Sequence, residues 1–204
     1  MTAADLEIIR FLARMRLATA LQLSRAMAMR PDRVYRRTRF LHGAGLIRYE
    51  RVVAGRPGIY LATRRGVSLA GCPLGAGRIG LTTYRHDLAM VSLSLELLAS
   101  HPGSRWRSER EIRSSVDLGE SGHVSDGVLI RSTDSVAVEL ELTPKGLRRL
   151  GRILRYYARC REYGEVWYFL TDATALTRYQ RLMRPYPHIR ARLWDLPREA
   201  DAFA

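Results

Sequence analysis

Positive charge is concentrated in the first 85 of the chain's 204 residues, and this asymmetry constrains the organisation of the chain more than any motif does. That stretch holds 16 Arg and no Lys against four acidic residues, which gives +12 of a formal net charge of +14. The remaining 119 residues hold 18 basic and 16 acidic side chains, a balance of +2. A basic segment with helical periodicity is expected where a protein meets a polyanion, most often nucleic acid. We therefore expect two units, of which the first binds double-stranded DNA.

The apolar and cysteine patterns exclude several classes of protein. No apolar run approaches the roughly 18 residues that span a bilayer, and the chain does not open with the basic-then-apolar order of a signal peptide. The sequence thus predicts a soluble, cytoplasmic protein with no membrane role. Cys72 and Cys160 lack the Cys and His neighbours of a zinc site, so we expect two ordinary thiols and no cofactor.

Hydrophobic periodicity in residues 1–66 predicts three helices followed by a β-hairpin. The helices cover about residues 5–16, a short stretch after Thr19, and Pro31 to about His42. In the third helix the inward positions are Val34, Thr38 and Leu41. The outward positions are Arg33, Arg36 and Arg37 and, less centrally, Tyr35 and Arg39. Strands at 46–49 and 59–62 then enclose a hairpin tip that carries Arg56, which is the order of a winged helix-turn-helix domain.

The runs VYRRTRFLHGAGLI and GRPGIYLATRRG resemble the winged-helix DNA-binding domains of bacterial regulators. The resemblance implies that the third helix enters the major groove, with Arg33, Arg36 and Arg37 facing it, and that the hairpin places Arg56 on the neighbouring backbone or minor groove. The sequence does not decide which Arg reads a base and which contacts a phosphate. The alternative is a winged helix used for protein contacts, with solvated Arg side chains.

A Gly-rich stretch at 67–85 predicts a linker, and residues 86–197 predict a second domain followed by a tail at 198–204. The pattern of this domain is a helix from His86, strands at 105–112, 124–130 and 136–142, a helix at 144–163 and a strand at 166–170. The segment around IRARLWDLP would add a final strand. The expected fold class is therefore α+β: a winged helix followed by an αβββαβ domain.

Three carboxylates stand out in the second domain. Glu139 and Glu141 are two residues apart on one strand, so their side chains share a face, and Asp126 on the paired strand could converge on them. Three convergent oxygens suit Mg²⁺ or Mn²⁺, which can activate a water for phosphodiester attack. The alternative, which we favour, is that the two Glu residues form the solvent face of a half-exposed edge strand.

The runs SDGVLI and VAVELEL resemble the restriction-endonuclease-like nuclease superfamily of PD-(D/E)xK type. The resemblance implies that Asp126, Glu139 and Glu141 would be catalytic, with Asp126 and Glu139 as metal ligands, only if the domain is a nuclease. Glu141 stands where most members carry the catalytic Lys. Lys145, four residues later, could swing back to that place. We expect a domain that has lost catalysis.

Across residues 30–172, the winged helix together with YRHDLAMVSLSLELL, HVSDGVLI, VELELTPKG and RILRYYARCREYGEVWYFLTD resembles the replication-relaxation family of actinobacterial and firmicute mobile elements. The resemblance implies a DNA-binding protein that controls transcription, or the replication or transfer of a plasmid or integrative element. A homodimer is expected, since one module reads too few base pairs for adequate specificity. Two alternatives stay open: a metal-dependent endonuclease or nickase, and an accessory protein that recruits a relaxase or replication initiator.

The long helix of the second domain also carries a ridge of four arginines on one face. These are Arg148, Arg152, Arg155 and Arg159. Such a ridge could hold phosphates or pair with an acidic partner, but a solvated face is the default expectation.

Overall fold

The computed structural model describes residues 1–115 and 123–197, and its contacts divide the chain into two units. The first comprises Met1–Leu95 with Pro197, and the second comprises Glu96–Leu196. Together the described residues form eight helices, one three-stranded sheet and one five-stranded sheet. The expected mixed α+β class, a winged helix followed by a sheet domain, is confirmed.

Three helices and a small sheet build the first unit. Its helices and first strand are α1 (Ala3–Met15), β1 (Ala18–Thr19), α2 (Ala20–Ala26) and α3 (Pro31–Gly43). Thr2 and Thr19 each cap a helix through a capping box, and Pro31 occupies the first turn of α3, where its missing N–H costs nothing. The apolar stripes of the three helices meet in one core, which includes Ile8, Leu12, Leu23, Val34 and Leu41.

The wing is an antiparallel hairpin on this core. It consists of β2 (Ile47–Glu50) and β3 (Ile59–Ala62), and the sheet order is β1-β3-β2. Gly45, with a φ of +69°, turns the chain from α3 into the wing in a conformation that side chains other than glycine rarely adopt. Three helices and a wing thus follow in the predicted order.

Residues 67–85 differ from the predicted linker. After β3 the chain forms α4 (Arg64–Leu69), and Val67, Ala70 and Leu74 are buried. The next helix is α5 (Tyr84–Ser100), whose first half belongs to the first unit. Gln22 Nε2 donates to the Leu88 carbonyl and to Ser92 Oγ, both at 2.9 Å. These contacts explain why the division falls inside α5, after Leu95, rather than at residue 85.

The second unit is a five-stranded sheet with helices inserted between its strands. After α5, its elements are β4 (Arg105–Ser108), α6 (Glu109–Ser115), β5 (Gly127–Ile130), β6 (Ser135–Glu141), α7 (Leu147–Arg159), β7 (Glu165–Leu170), α8 (Ala173–Met183) and β8 (Ile189–Leu193). The strand order is β4-β5-β6-β7-β8, antiparallel as far as β6 and parallel from β6 to β8. The order αβββαβ is present, but α6 and α8 are additional, and the predicted strand at 105–112 ends at Ser108.

One face of this sheet packs against α7 and α8. Its core includes Ala137 of β6, Tyr168 of β7, Leu150 and Leu154 of α7, and Tyr179 of α8. Because side chains alternate along a strand, Glu139 and Glu141 project from the same face as Ala137. The two carboxylates therefore lie on the helix-covered face of a central strand. The predicted final strand is present as β8, and the predicted tail at 198–204 lies outside the described residues.

Candidate nucleic-acid interface and buried carboxylate cluster

The solvent face of α3 is cationic. Val34, Thr38 and Leu41 are buried, and Thr38 Oγ1 donates to the Val34 carbonyl at 3.0 Å. On the opposite face the exposed side chains are Arg33, Tyr35, Arg36, Arg39 and Phe40. The Arg36 side chain is 78% exposed and meets Asp32 only at 3.9 Å, so its guanidinium is available to an external anion.

Arg37 occupies a different environment from the other arginines of α3. Its Nη1 lies 3.3 Å from Oδ2 of Asp5, a carboxylate on α1 that is 0% exposed. The same oxygen accepts a 2.7 Å hydrogen bond from the Thr2 backbone N–H. Arg37 therefore ties α3 to α1. The structure places Arg39, rather than Arg37, beside Arg36 on the exposed face, since residues three apart on a helix are neighbours.

Phe40 is an exposed aromatic residue that the sequence interpretation left out. It lies one turn after Arg36 and lines a shallow depression with Arg36, Arg39, Gly43 and Ala44. Its four-residue spacing from Arg36 is a signal that could have found it. A half-exposed phenyl ring beside guanidinium groups can contact a thymine methyl or a deoxyribose.

The wing places Arg56 in the loop between β2 and β3, as the sequence predicts. The loop is closed by a 3.3 Å hydrogen bond from the Arg56 N–H to the Val53 carbonyl, and Gly55 adopts a φ of +74°. Arg56 is partly exposed. Nearby on β2, Arg48 is paired with Glu50 at 2.9 Å, so the wing's charge is partly neutralised.

The carboxylates of the second unit lie in the protein interior. Glu139 is 1% exposed and Glu141 is 3% exposed. The interpretation of these residues as the solvent face of an edge strand is therefore wrong. The alternating pattern of β6 was correctly assigned to two faces, but β6 is the middle strand and α7 and α8 cover the acidic face.

Each of the two buried Glu residues has its own partners. Glu139 Oε1 accepts a 2.5 Å hydrogen bond from the Tyr157 hydroxyl and lies 2.7 Å from Nε2 of His123. Lys145 Nζ donates to Oε1 of Glu141 and lies 3.8 Å from Oε2 of Glu139. Lys145 thus contacts the two glutamates of β6. The four arginines of the α7 ridge are exposed and do not contact these glutamates.

Asp126 is the third carboxylate of the predicted trio. Its Oδ2 accepts a 2.8 Å hydrogen bond from the backbone N–H of Leu140, which is the residue between the two buried Glu residues of β6. This bond joins the chain just before β5 to the neighbouring strand. Asp126 therefore has a structural contact of its own at the edge of the cluster.

The electrostatics of the cluster follow from its burial. Burial raises the pKa of Glu141 to about 7; the Lys145 ammonium opposes this, and Glu139 and Asp126 reinforce it. Burial disfavours the charge of Lys145, yet the attraction of Glu139 and Glu141 raises the pKa of Lys145 overall. Burial also raises the pKa of Tyr157 well above its ordinary value, which keeps its hydroxyl a donor to Glu139.

These contacts bear on whether the carboxylates fit a divalent metal ion. Oxygen ligands suit Mg²⁺ in kind, but a metal site needs several of them converging on one point. Within residues 1–115 and 123–197, no three His, Cys, Asp or Glu side chains are grouped so that they could hold a metal ion. Among those residues, the carboxylates do not form the convergent set of oxygen ligands that the nuclease hypothesis requires. Chemically, the arrangement is a buried, charge-compensated polar cluster.

Comparison with known proteins adds little to this geometry. No protein-family model matches the chain, and no curated protein matches it. Among solved structures, the chain is similar to a cysteine-to-serine mutant of Lactococcus lactis ZitR in complex with DNA, with 19% sequence identity and a TM-score of 0.33. That match covers 56% of this chain and 68% of the ZitR chain. Within the part of the chain that the structure describes, no helix has the length and apolar content that crossing a membrane requires.

Proposed function

We propose that the protein binds double-stranded DNA sequence-specifically through its winged helix. One observation carries the proposal: α3 holds Arg33, Arg36 and Arg39 on its exposed face, while its opposite face is fixed in the core. A helix fits the major groove of B-DNA, where an Arg fork can meet O6 and N7 of guanine. The wing, with Arg56, would contact the adjacent backbone.

The biological role that we propose is control of transcription, or of the replication or transfer, of a plasmid or integrative mobile element. Support for this comes from the resemblance of the sequence motifs to the replication-relaxation family. In this proposal the second unit is a platform for dimerisation or for a replication or transfer partner. A homodimer would double the number of base pairs that are read and impose two-fold symmetry on the site.

Selection of bound duplexes from a random pool, followed by affinity measurements on the selected site, tests the proposal. The Arg36→Ala/Arg39→Ala variant should lose affinity for the selected site by about 1–3 kcal/mol for each base-reading Arg, and its preference over random duplex should weaken. The matched control is Arg64→Ala/Arg65→Ala, which removes the same charge from exposed positions of α4. Equal losses of affinity in both variants, or the absence of any selected sequence, would overturn the assignment of base reading to α3.

A further inference from the structure

The exposed face of α7 is a row of like charges. The helix Leu147–Arg159 contains five Arg and no acidic residue. Its apolar side is fixed in the core of the second unit by Leu150, Ile153, Leu154 and Tyr157. Arg148, Arg149, Arg152, Arg155 and Arg159 are all exposed. The small net charge of +2 over residues 86–204 therefore conceals a local cationic surface.

Four of these residues, the ridge described above, share one stripe of the helix, which we call the α7 row: Arg148, Arg152, Arg155 and Arg159. Their spacing of four, three and four residues keeps them within a stripe of about 60° and separates successive members by about 6, 4.5 and 6 Å along the helix. The row is about 16 Å long. The next helix, α8, packs on the same sheet core and contains Arg178 and Arg181 but no acidic residue.

Among the residues that the structure describes, the α7 row has no acidic partner. No Asp or Glu in residues 1–115 or 123–197 forms an ion pair with any of its four members. On α6, in contrast, Arg113 pairs with Glu109 one turn away at 2.8 Å. Like charges one turn apart on a helix repel one another, and a bound anion would relieve this repulsion.

We propose that the α7 row binds the phosphate backbone of duplex DNA, as a second and sequence-independent contact outside the winged helix. Each DNA strand presents one negative charge about every 3.4 Å along the duplex axis, so a stripe of guanidinium groups about 16 Å long can meet several phosphates. The planar fork of Arg suits phosphate oxygens. The stripe of helix surface that holds the row contains no apolar side chain, whereas a docking site for an acidic protein would have an apolar centre. The proposal shares with the proposed function only the premise that the ligand is duplex DNA.

The salt dependence of DNA binding by the full-length protein tests this inference. Affinity for the selected duplex and for a random duplex is measured over a NaCl series for the wild type and for Arg152→Gln/Arg155→Gln. The control, Arg105→Gln/Arg190→Gln, removes two exposed charges from the two edge strands of the same sheet. Because each phosphate contact contributes about −0.9 to the slope of log affinity against log salt, the α7 variant should have a slope shallower by about 2 on both duplexes. The control should keep the wild-type slope, and sequence preference should be unchanged in both.

The outcomes separate this inference from the proposed function. An unchanged slope in the α7 variant, with specific binding intact, overturns the inference alone. A slope that is lost with the α7 change, together with an unchanged sequence preference in Arg36→Ala/Arg39→Ala, supports the inference and contradicts base reading by α3. A wild type that binds no duplex overturns both. Normal DNA binding by the α7 variant together with lost retention on immobilised polyglutamate would assign the row to an acidic protein and reject DNA.

Discussion

The Tyr157 hydroxyl and Oε1 of Glu139 are 2.5 Å apart, in a hydrogen bond that joins α7 to the central strand of its sheet. His123 Nε2 approaches the same oxygen at 2.7 Å. A carboxylate removed from water needs such donors, because an unpaired buried charge is far more costly than an unpaired neutral group. This bond therefore fixes the helix that carries the α7 row to β6.

Removal of the Tyr157 hydroxyl should destabilise the protein. A hydrogen bond to a charged group is worth about 1.5–3 kcal/mol, and we expect Tyr157→Phe to lower the free energy of unfolding in urea by that amount. Tyr168→Phe is the matched control, because the Tyr168 hydroxyl is buried in the same core and has no hydrogen-bond partner in the described part of the chain. Its removal should leave stability unchanged or raised. Equal losses in both variants would show that the bond to Glu139 contributes nothing.

Stability should fall as the pH rises towards neutrality. Burial raises the pKa of Glu141 from 4.5 to about 7. Between these values the folded protein holds a proton that the unfolded chain releases, so the free energy of unfolding decreases with rising pH across that window. Glu141→Gln cannot ionise and should lose this part of the dependence. Urea unfolding at pH 4.5 and at about pH 7 measures the change in the free energy of unfolding for the wild type and for Glu141→Gln. The same change in both proteins would contradict the raised pKa of Glu141.

Several elements of the fold could be predicted from local signals, and two readable signals were missed. The N-cap residue Thr19 and the first-turn residue Pro31 placed α2 and α3 correctly. The strand predicted through residue 112 instead gives way to α6, whose start is marked by a capping box. The Ser108 backbone N–H donates to Glu111 Oε2 at 2.9 Å, and the Glu111 N–H donates to Ser108 Oγ at 3.4 Å. The spacing Ser-x-x-Glu was present in the sequence. Asp172, the N-cap of α8, was a similar signal.

The burial of Glu139 and Glu141 could not be predicted from local sequence signals. Alternation of apolar and acidic residues assigns Glu139 and Glu141 to one face, but local pattern does not say whether a helix covers that face. The answer depends on two parallel crossovers that place α7 and α8 over β6 and β7. It also depends on Lys145 and Tyr157, which reach the site from outside the strand. Buried charge of this kind is specified by tertiary partners.

Loss of Arg37 should affect folding. Arg37→Ala removes the cationic partner of the buried Asp5 carboxylate, which keeps its hydrogen bonds from Thr2, and the loss of a hydrogen bond to a charged group costs about 1.5–3 kcal/mol. Arg36→Ala removes the same charge from a side chain that is 78% exposed and should change stability by no more than about 0.5 kcal/mol. Thermal unfolding of the two variants compares them directly. Equal stability in the two would indicate that the contact between α1 and α3 is dispensable.

The junction between α4 and the wing should not tolerate a side chain at Gly66. A Cβ atom there would collide with the backbone carbonyl of Leu46, which has no rotamer to move away. Overpacking of this kind costs about 1–3 kcal/mol, so Gly66→Ala should lower the denaturation midpoint. Gly43→Ala, at the end of α3, meets nothing within 4 Å and should be neutral or slightly stabilising, because Ala favours the helix. A stable Gly66→Ala protein would refute this packing.

We expect no cleavage of supercoiled plasmid or of the selected duplex with Mg²⁺ or Mn²⁺. Glu139 and Glu141 are covered by α7, so a phosphodiester cannot reach them without displacement of the helix. Glu139→Gln should therefore keep wild-type affinity for DNA, measured by anisotropy. Metal-dependent nicking that disappears in Asp126→Asn would contradict the expected lack of cleavage and favour the alternative function, a metal-dependent endonuclease.

Lys145 is the sole lysine among the chain's 204 residues, and its amine is held by Glu141 within a side chain that is only 15% exposed. Reagents that acylate lysine amines should therefore leave the folded protein's side chains unmodified and modify Lys145 only when the loop before α7 opens. The rate of acylation at Lys145, followed by mass spectrometry, therefore reports how often the carboxylate cluster opens to solvent.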